Sequence, residues 1–177
     1  TKRVDNYVEN HEKSPSPNII GQYYYNLALS EKGQLGQRMF AAPQSYGPMS
    51  LTLPRDGEHT YRALYFYYTI GLINEARHLA FELMVRHGFT PENLNMLIKT
   101  ELINWNYKIA ERYINVLKKT LHYKSRAEKY EKMLNNPQLV NSDRELGEKI
   151  RLLPKEDFFI QTDDAKNIDL LLKDNPG

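Results

Sequence analysis

Apolar residues recur along this chain with the spacing of α-helices. Between 75 and 87, one helical stripe is mostly apolar while the opposite side is mostly charged. The members of this stripe are Ala76, Ala80, Leu83, Met84 and His87. A second stripe, over 108–121, consists of Ala110, Tyr113, Ile114, Leu117 and Leu121. No segment alternates convincingly with the period of two that is typical of a β-strand, so the pattern predicts an all-α protein.

Capping and helix-breaking residues divide the pattern into helix pairs. Three pairs are predicted, and their helices are 19–32 and 35–41, then 60–70 and 75–87, then 91–103 and 108–121. Gly33 and Gly88 suit the left-handed conformation that ends helices. Asn74 is the expected N-cap of 75–87, and Thr90 with Pro91 is the expected start of the next helix. Further helices are predicted over 125–134, near 143–152 and near 165–172.

The segments between these helices suggest a domain organisation. Residues 1–18 are polar and contain Pro15 and Pro17, so we expect a flexible lead-in. Residues 19–135 form the expected repeat region, with units at about 19–42, 58–88, 91–121 and then 125–135. Residues 136–177 form a C-terminal helical extension. The stretch 43–57 holds three prolines and two glycines, which predicts a long loop of the kind that is often functional.

A weak internal repeat connects the second and third pairs. Gly71, Ile73 and Ala76 are matched 34 residues later by Trp105, Tyr107 and Ala110, and a looser copy begins at Gly33 and Leu35. This interval resembles that of tetratricopeptide repeats, in which helical pairs stack because one pair cannot bury its apolar face alone. The resemblance implies tetratricopeptide-like antiparallel helical hairpins stacked in a right-handed array. Small residues, here Ala76 and Ala110, would lie where helices cross closely.

Three features depart from the tetratricopeptide pattern. Arg38 replaces a small residue, Glu101 lies at a site that is usually aromatic, and the proline that ends each repeat is missing.

Composition excludes several classes of site. The 177 residues contain no cysteine, which rules out disulfides and thiolate metal sites, and a net charge of +2 does not indicate a nucleic-acid binder. The longest apolar stretch, Leu64–Ile73, is too short to cross a bilayer. The chain begins with Thr1 and ends in Asn-Pro-Gly, where another helical pair could follow. We therefore expect it to be part of a longer protein.

The first helix of each tetratricopeptide pair lines a concave surface, which suggests a binding groove. The groove positions are Tyr23, Tyr24, Tyr61, Arg62, Tyr65, Tyr68, Asn95 and Lys99. Tyrosine offers an apolar face with a polar tip, and arginine and lysine bind carboxylates, so the groove suits a peptide. The alternative is that the tyrosines, 13 in the chain, are core and helix-packing residues.

The long loop contributes four further candidate contacts: Gln44, Tyr46, Arg55 and Asp56. They could cover the groove or bind a partner, or the loop could be an irregular crossover. A basic cluster over 118–132 could touch anionic lipid, although a mixed-charge solvated face is the simpler interpretation.

Metal and catalytic sites are not predicted. Glu75 and His78 have the spacing of two metal ligands and Glu82 lies on the same side, but that face is expected to be solvated and has no second copy. No phosphate loop, nucleophile elbow or zincin motif is present, so we predict no cofactor, no metal and no catalytic residue.

Four segments resemble an uncharacterised family of Bacteroidetes membrane proteins, a domain of unknown function. They are NLALSEKGQLGQRMF from Asn26, GLINEARHLAFELM from Gly71, INWNYKIAERYINVLKKTLHYKSRAE from Ile103 and KEDFFI from Lys155. The resemblance covers most of 19–172. In that family a multi-spanning membrane region precedes a helical-repeat region, which implies that this chain is the soluble part of a larger membrane protein.

Together these observations predict a noncatalytic protein-interaction or scaffold module. Its partner would be a protein or peptide, either a separate molecule or the rest of its own full-length chain, and not a nucleic acid. The resemblance implies tethering to a bacterial inner membrane, with the extracytoplasmic side favoured. The alternative is an accessory domain of a membrane enzyme or transporter that acts on envelope glycans or lipids.

Overall fold

A computed structural model describes residues 2–47, 50 and 59–154 of the chain. Within these residues the chain forms ten α-helices and one 3₁₀ helix, and no β-strand. The prediction of an all-α protein is confirmed. The helix expected near 165–172, the segment KEDFFI, and the loop residues Arg55 and Asp56 lie outside the described residues.

The backbone contacts divide the chain into two compact units, 1–59 and 60–177. The helices of unit 1 are α1 (Lys2–Lys13), α2 (Ile19–Glu31) and α3 (Leu35–Arg38), followed by a 3₁₀ turn at Met39–Ala41. Its core contains Val8 of α1 together with Tyr25 and Leu29 of α2.

Helix α1 occupies most of the segment for which the sequence analysis expects a flexible lead-in. Val4, Tyr7, Val8 and His11 have helical spacing, and α1 packs against α2 with Val8 and His11 buried. Such a short apolar stripe is easy to overlook, because the rest of the helix is polar.

Unit 2 contains the seven remaining helices. They are α4 (His59–Thr69), α5 (Ile73–His87), α6 (Pro91–Ile103), α7 (Tyr107–Leu117), α8 (Lys124–Glu131), α9 (Pro137–Ser142) and α10 (Arg144–Arg151). Helix α6 packs closely against both α5 and α7, and α10 packs against α6 and α9. Ala76 of α5 and Ala110 of α7 are fully buried in this core, as their small side chains predict.

Four residues of unit 2 differ from expectation. Helix α5 begins at Ile73, so Asn74 lies inside the helix, and its side chain accepts a hydrogen bond from Asn104 (2.8 Å) instead of capping. Glu75, expected to face solvent, is buried in the first turn of α5, where the helix dipole favours a negative charge. His87 is exposed. Leu121 is 90% exposed because α7 ends at Leu117.

Three chain reversals share one geometry. Gly33, Gly71 and Trp105 follow α2, α4 and α6, and all have positive φ (64°, 87° and 60°). In each reversal, the amide N–H of the residue after the positive-φ position donates to the carbonyl five residues before it. The donor and acceptor pairs are Gln34 and Leu29, Leu72 and Tyr67, and Asn106 and Glu101. This is the Schellman arrangement. The three positions of the predicted internal repeat are therefore structurally equivalent at these helix ends.

Capping residues define several other helix ends, and those at Thr90 with Pro91 and at Gly88 are as predicted. The Thr90 hydroxyl accepts from the amide of Asn93, Pro91 opens α6, and Gly88 ends α5 with φ 76°. Asp143 caps α10 by accepting from the amides of Glu145 and Leu146.

Candidate binding surface

The unit 1 members of the predicted groove have different environments. Tyr23 is buried, whereas Tyr24 is 42% exposed, and their rings meet edge to face at 5.2 Å. Tyr24 and Tyr7 line two shallow clefts between α1 and α2, of about 460 and 500 Å³. Tyr24 is therefore accessible, and Tyr23 is a core residue.

In unit 2, two stripes of predicted groove residues lie along neighbouring helices. Tyr61, Tyr65 and Tyr68 have the spacing of one face of α4, and Asn95 and Lys99 that of one face of α6. The Lys99 Nζ atom lies 5.5 Å from the centre of the Tyr68 ring, so the stripes meet near the C-terminal ends of the two helices. The structure thus brings these predicted residues together.

The C-terminal end of this surface is covered by helices from the same chain. Tyr68 donates a hydrogen bond from its hydroxyl to Glu145 of α10 (3.0 Å), and Lys99 donates to the same carboxylate oxygen (2.6 Å). Tyr130 of α8 donates to the Asn95 side-chain oxygen (2.7 Å). Tyr68 is only 5% exposed as a result. Burial, followed by the charge of Glu145, raises the pKa of the Tyr68 phenol above its ordinary value.

Lys149 fastens α10 to the same place. Its ammonium group donates to the backbone carbonyl of Thr69 at the end of α4 (2.7 Å), and it lies 6.0 Å from the centre of the Tyr68 ring. The Lys149 side chain is almost completely buried. Tyr130, Glu145 and Lys149 are not predicted from the sequence, because helical periodicity does not indicate which distant helix covers a given face.

The N-terminal end of the surface is open. Tyr65 is 48% exposed, and the Tyr61 ring lies 6.0 Å from the ring of His87 at the end of α5. Burial of its inner edge and the charge of Glu92 raise the pKa of Tyr65. Arg62, beside them on α4, is partly buried and takes part in other interactions. An aromatic and acidic surface therefore remains accessible here.

The two described loop candidates, Gln44 and Tyr46, lie within unit 1 and bind to α2 and to the residues before it. The Gln44 side-chain oxygen accepts from the amides of Gln22 (2.9 Å) and Asn26 (3.0 Å), both on α2. The Tyr46 hydroxyl donates to the Pro17 carbonyl (2.7 Å). Ser50 is also buried and accepts from Gln22 (2.6 Å). The Gln44 amide therefore anchors this part of the loop, although Tyr46 remains 38% exposed.

The possible metal ligands of α5 differ in their exposure. Glu75 is buried, whereas His78 is exposed and pairs with Glu82 (3.4 Å). Within 2–47, 50 and 59–154, no three His, Asp or Glu side chains are grouped as they would be to hold a metal ion. In the basic cluster, Lys118 pairs with Glu131 and Lys129 with Asp143.

The comparisons with known proteins identify the family. The whole chain, residues 1–177, matches the family described as "Family of unknown function (DUF6057)", and the chain belongs to it. No curated protein and no solved structure matches the chain. Among the helices that the structure describes, none combines the length and apolar character needed to span a bilayer.

Proposed function

We propose that this chain is a noncatalytic protein-interaction or scaffold module and forms the soluble part of a larger bacterial membrane protein. The exposed face of α4 around Tyr65 carries this proposal. Tyr65 is nearly half exposed although it belongs to a stripe whose other end is buried, and exposed aromatic side chains are typical anchors of protein interfaces.

The repeated helix ends support a tetratricopeptide-like arrangement of α4 to α7. Gly71 and Trp105 make equivalent reversals at the 34-residue interval, and Ala76 and Ala110 are both buried after them. In a stacked array of this kind, α4 and α6 would be the groove-lining helices. The groove partner would be a protein or peptide, either a separate molecule or another part of the full-length chain.

The membrane context rests on the sequence resemblance to Bacteroidetes membrane proteins. It supports tethering of this domain to an inner membrane through a region outside this chain, with the extracytoplasmic side favoured.

Site-specific photo-crosslinking in cells tests the interaction. A photoreactive phenylalanine analogue would replace Tyr65 in the full-length protein, and the same analogue at Phe81 would be the control because Phe81 is equally exposed on α5. We expect one protein to be crosslinked in high yield from position 65 and not from position 81. Equal crosslinking from both positions, or none from position 65, would contradict the interaction function.

A second candidate is an accessory domain of a membrane enzyme or transporter that acts on envelope glycans or lipids. It is favoured by the engagement of Tyr68, Asn95 and Lys99 with the chain's own helices, which leaves less surface for a partner. In that case, variants of Tyr65 would alter the activity of the intact membrane protein without any crosslinked partner.

A further inference from the structure

The turn between α7 and α8 exposes a leucine almost completely. Leu121 is 90% exposed, more than any other large apolar side chain in the described part of the chain. The turn is anchored on both sides of it, because Leu117 at the end of α7 is fully buried and Tyr123 packs against the core of unit 2. The hydroxyl and the amide of Thr120 both donate to the Leu117 carbonyl (2.6 and 3.0 Å). A hydrogen-bonded and anchored turn therefore presents Leu121 outward.

Positive charges flank this leucine on both sides in the sequence. From 113 to 127 the chain contains four lysine and arginine residues and no aspartate or glutamate. Lys118 pairs with Glu131 of α8 (2.7 Å). The other three are exposed, and within 2–47, 50 and 59–154 no acidic side chain forms an ion pair with them. They are Lys119, Lys124 and Arg126.

One of these cations is held in place by an aromatic ring. The central guanidinium carbon of Arg126 lies 5.6 Å from the centre of the Tyr123 ring, a distance at which ring and cation attract each other. Since Tyr123 packs against the core, this contact keeps the positive charge close to the turn. The nearest acidic residue in the sequence, Glu128, lies four residues after Lys124 along α8.

An exposed leucine among unpaired cations has the chemistry that suits an anionic bilayer. Lipid phosphates attract lysine and arginine, and the boundary between headgroups and acyl chains accepts an apolar side chain. A free phosphate or a nucleic acid would use the cations alone and would leave Leu121 in water. The leucine at the apex of the turn therefore favours a lipid surface.

We propose that the α7–α8 turn contacts an anionic lipid bilayer. Leu121 enters the headgroup region, and Lys119, Lys124 and Arg126 bind lipid phosphates. This contact uses none of the residues of the Tyr65 face, so it goes beyond the proposed interaction function and is tested independently of crosslinking at position 65. If each of the three cations favours an anionic surface about fivefold, the preference over a neutral surface is about a hundredfold.

Vesicle binding of the 177-residue chain tests the proposal. Vesicles of phosphatidylcholine, with or without an equal share of phosphatidylglycerol, are sedimented with the chain at about 0.1 M salt, where charges more than about 10 Å apart are largely screened. We expect binding to the anionic vesicles and about a hundredfold weaker binding to the neutral ones. Lys124→Gln and Leu121→Gln should each weaken binding to the anionic vesicles about fivefold.

Matched substitutions on α5 control for the loss of any exposed apolar or positive side chain. Val85 is 70% exposed, and its neighbour Arg86 is exposed as well. Val85→Gln and Arg86→Gln should leave binding unchanged. Equal binding to the two kinds of vesicle, binding to neither, or equal losses in the control variants would overturn the proposal.

A fluorescent label reports whether the turn enters the bilayer. The chain has no cysteine, so Leu121→Cys and Val85→Cys each provide a single thiol for a nitrobenzoxadiazole label. On anionic vesicles, we expect emission from position 121, and not from position 85, to move to shorter wavelength.

Polyglutamate distinguishes a membrane from an acidic protein partner, because it carries negative charge without an apolar layer. We expect it to bind more weakly than the anionic vesicles. Polyglutamate binding as tight as vesicle binding, combined with an unshifted label at position 121, would indicate an acidic protein partner and overturn the membrane contact.

Discussion

Gly71 lies directly against Leu152: a Cβ atom added to Gly71 would be 2.5 Å from the Leu152 Cβ and 3.0 Å from its carbonyl oxygen. Gly71 ends α4 with φ 87°, and Leu152 follows α10. The absence of a side chain at position 71 thus serves two purposes. It allows the left-handed reversal, and it allows the end of α10 to approach the end of α4.

Gly71→Ala should strongly destabilise unit 2. The left-handed conformation costs alanine about 1 kcal/mol, and the clash with Leu152 should raise the total to about 3 kcal/mol, because backbone atoms must move. Gly33→Ala is the matched control in unit 1, since Gly33 also has positive φ (64°) but open space around the added Cβ. Its cost should be about 1 kcal/mol. Urea unfolding, combined with hydrogen exchange analysed separately for each unit, measures the free energy of unfolding that each variant loses. Equal losses in the two variants would contradict the packing role of Gly71.

Trp105 makes the same left-handed reversal with a bulky side chain (φ 60°). Its ring is 39% exposed and lies 6.3 Å from the ring of Tyr107. Trp105→Ala and Trp105→Gly both remove the ring and leave the left-handed reversal in place. The reversal is unfavourable for alanine but not for glycine, because glycine has no Cβ atom. We expect the glycine variant to be more stable than the alanine variant by about 1 kcal/mol in urea unfolding. An alanine variant of equal or higher stability would show that the reversal imposes no strain.

The stacking of His11 on Tyr25 should make unit 1 sensitive to acid. The rings are 4.7 Å apart and nearly parallel, and burial lowers the pKa of His11 below its ordinary value of 6.5, against the opposing effect of Glu12. The unfolded chain then binds more protons than the folded chain between the two pKa values. Stability should therefore be constant above about pH 6.5, fall as the pH drops through that value, and level off below the folded pKa.

Substitution of His11 distinguishes its titration from that of the nearby carboxylates. Ion pairing lowers the pKa values of Asp5 and Glu12, through Lys32 and Arg38 respectively, so these groups titrate at more acidic pH. His11→Phe keeps an aromatic ring and should abolish the dependence near pH 6.5, whereas His78→Phe, at an exposed histidine, should not. Hydrogen exchange of α1 at several pH values is the measurement. If the stability of His11→Phe still depends on pH in this range, the dependence belongs to another titratable group.

Glu145 should hold α10 on the surface formed by α4 and α6. Glu145→Gln weakens the pairing with Lys99 and the hydrogen bond from Tyr68, and because Glu145 is about half exposed we expect a cost of about 1 kcal/mol or less. Amide exchange across Arg144–Arg151 should then accelerate by up to about fivefold. The control is Glu128→Gln at an exposed position of α8. Unchanged exchange in Glu145→Gln would mean that apolar packing alone positions α10.

Local signals predicted most helix ends correctly. Thr90 with Pro91, and Gly88, act within one turn of their own positions, and the structure confirms both predictions. The expectations for Leu121 and Asn74 were wrong for a related reason. Both depended on exactly where a helix starts or stops, and several overlapping boundaries satisfy the same apolar spacing.

The all-α class and the correspondence of Gly33, Gly71 and Trp105 as repeat positions follow from the sequence alone. These features depend on periodicity and on backbone conformation, which are encoded within a few neighbouring residues. The packing of distant helices, by contrast, decides that α8 and α10 cover Tyr68, Asn95 and Lys99 while Tyr65 stays exposed. Residues such as Tyr68 and Glu145 are far apart in the chain, and their contact depends on how whole helices pack, which periodicity along one helix does not specify.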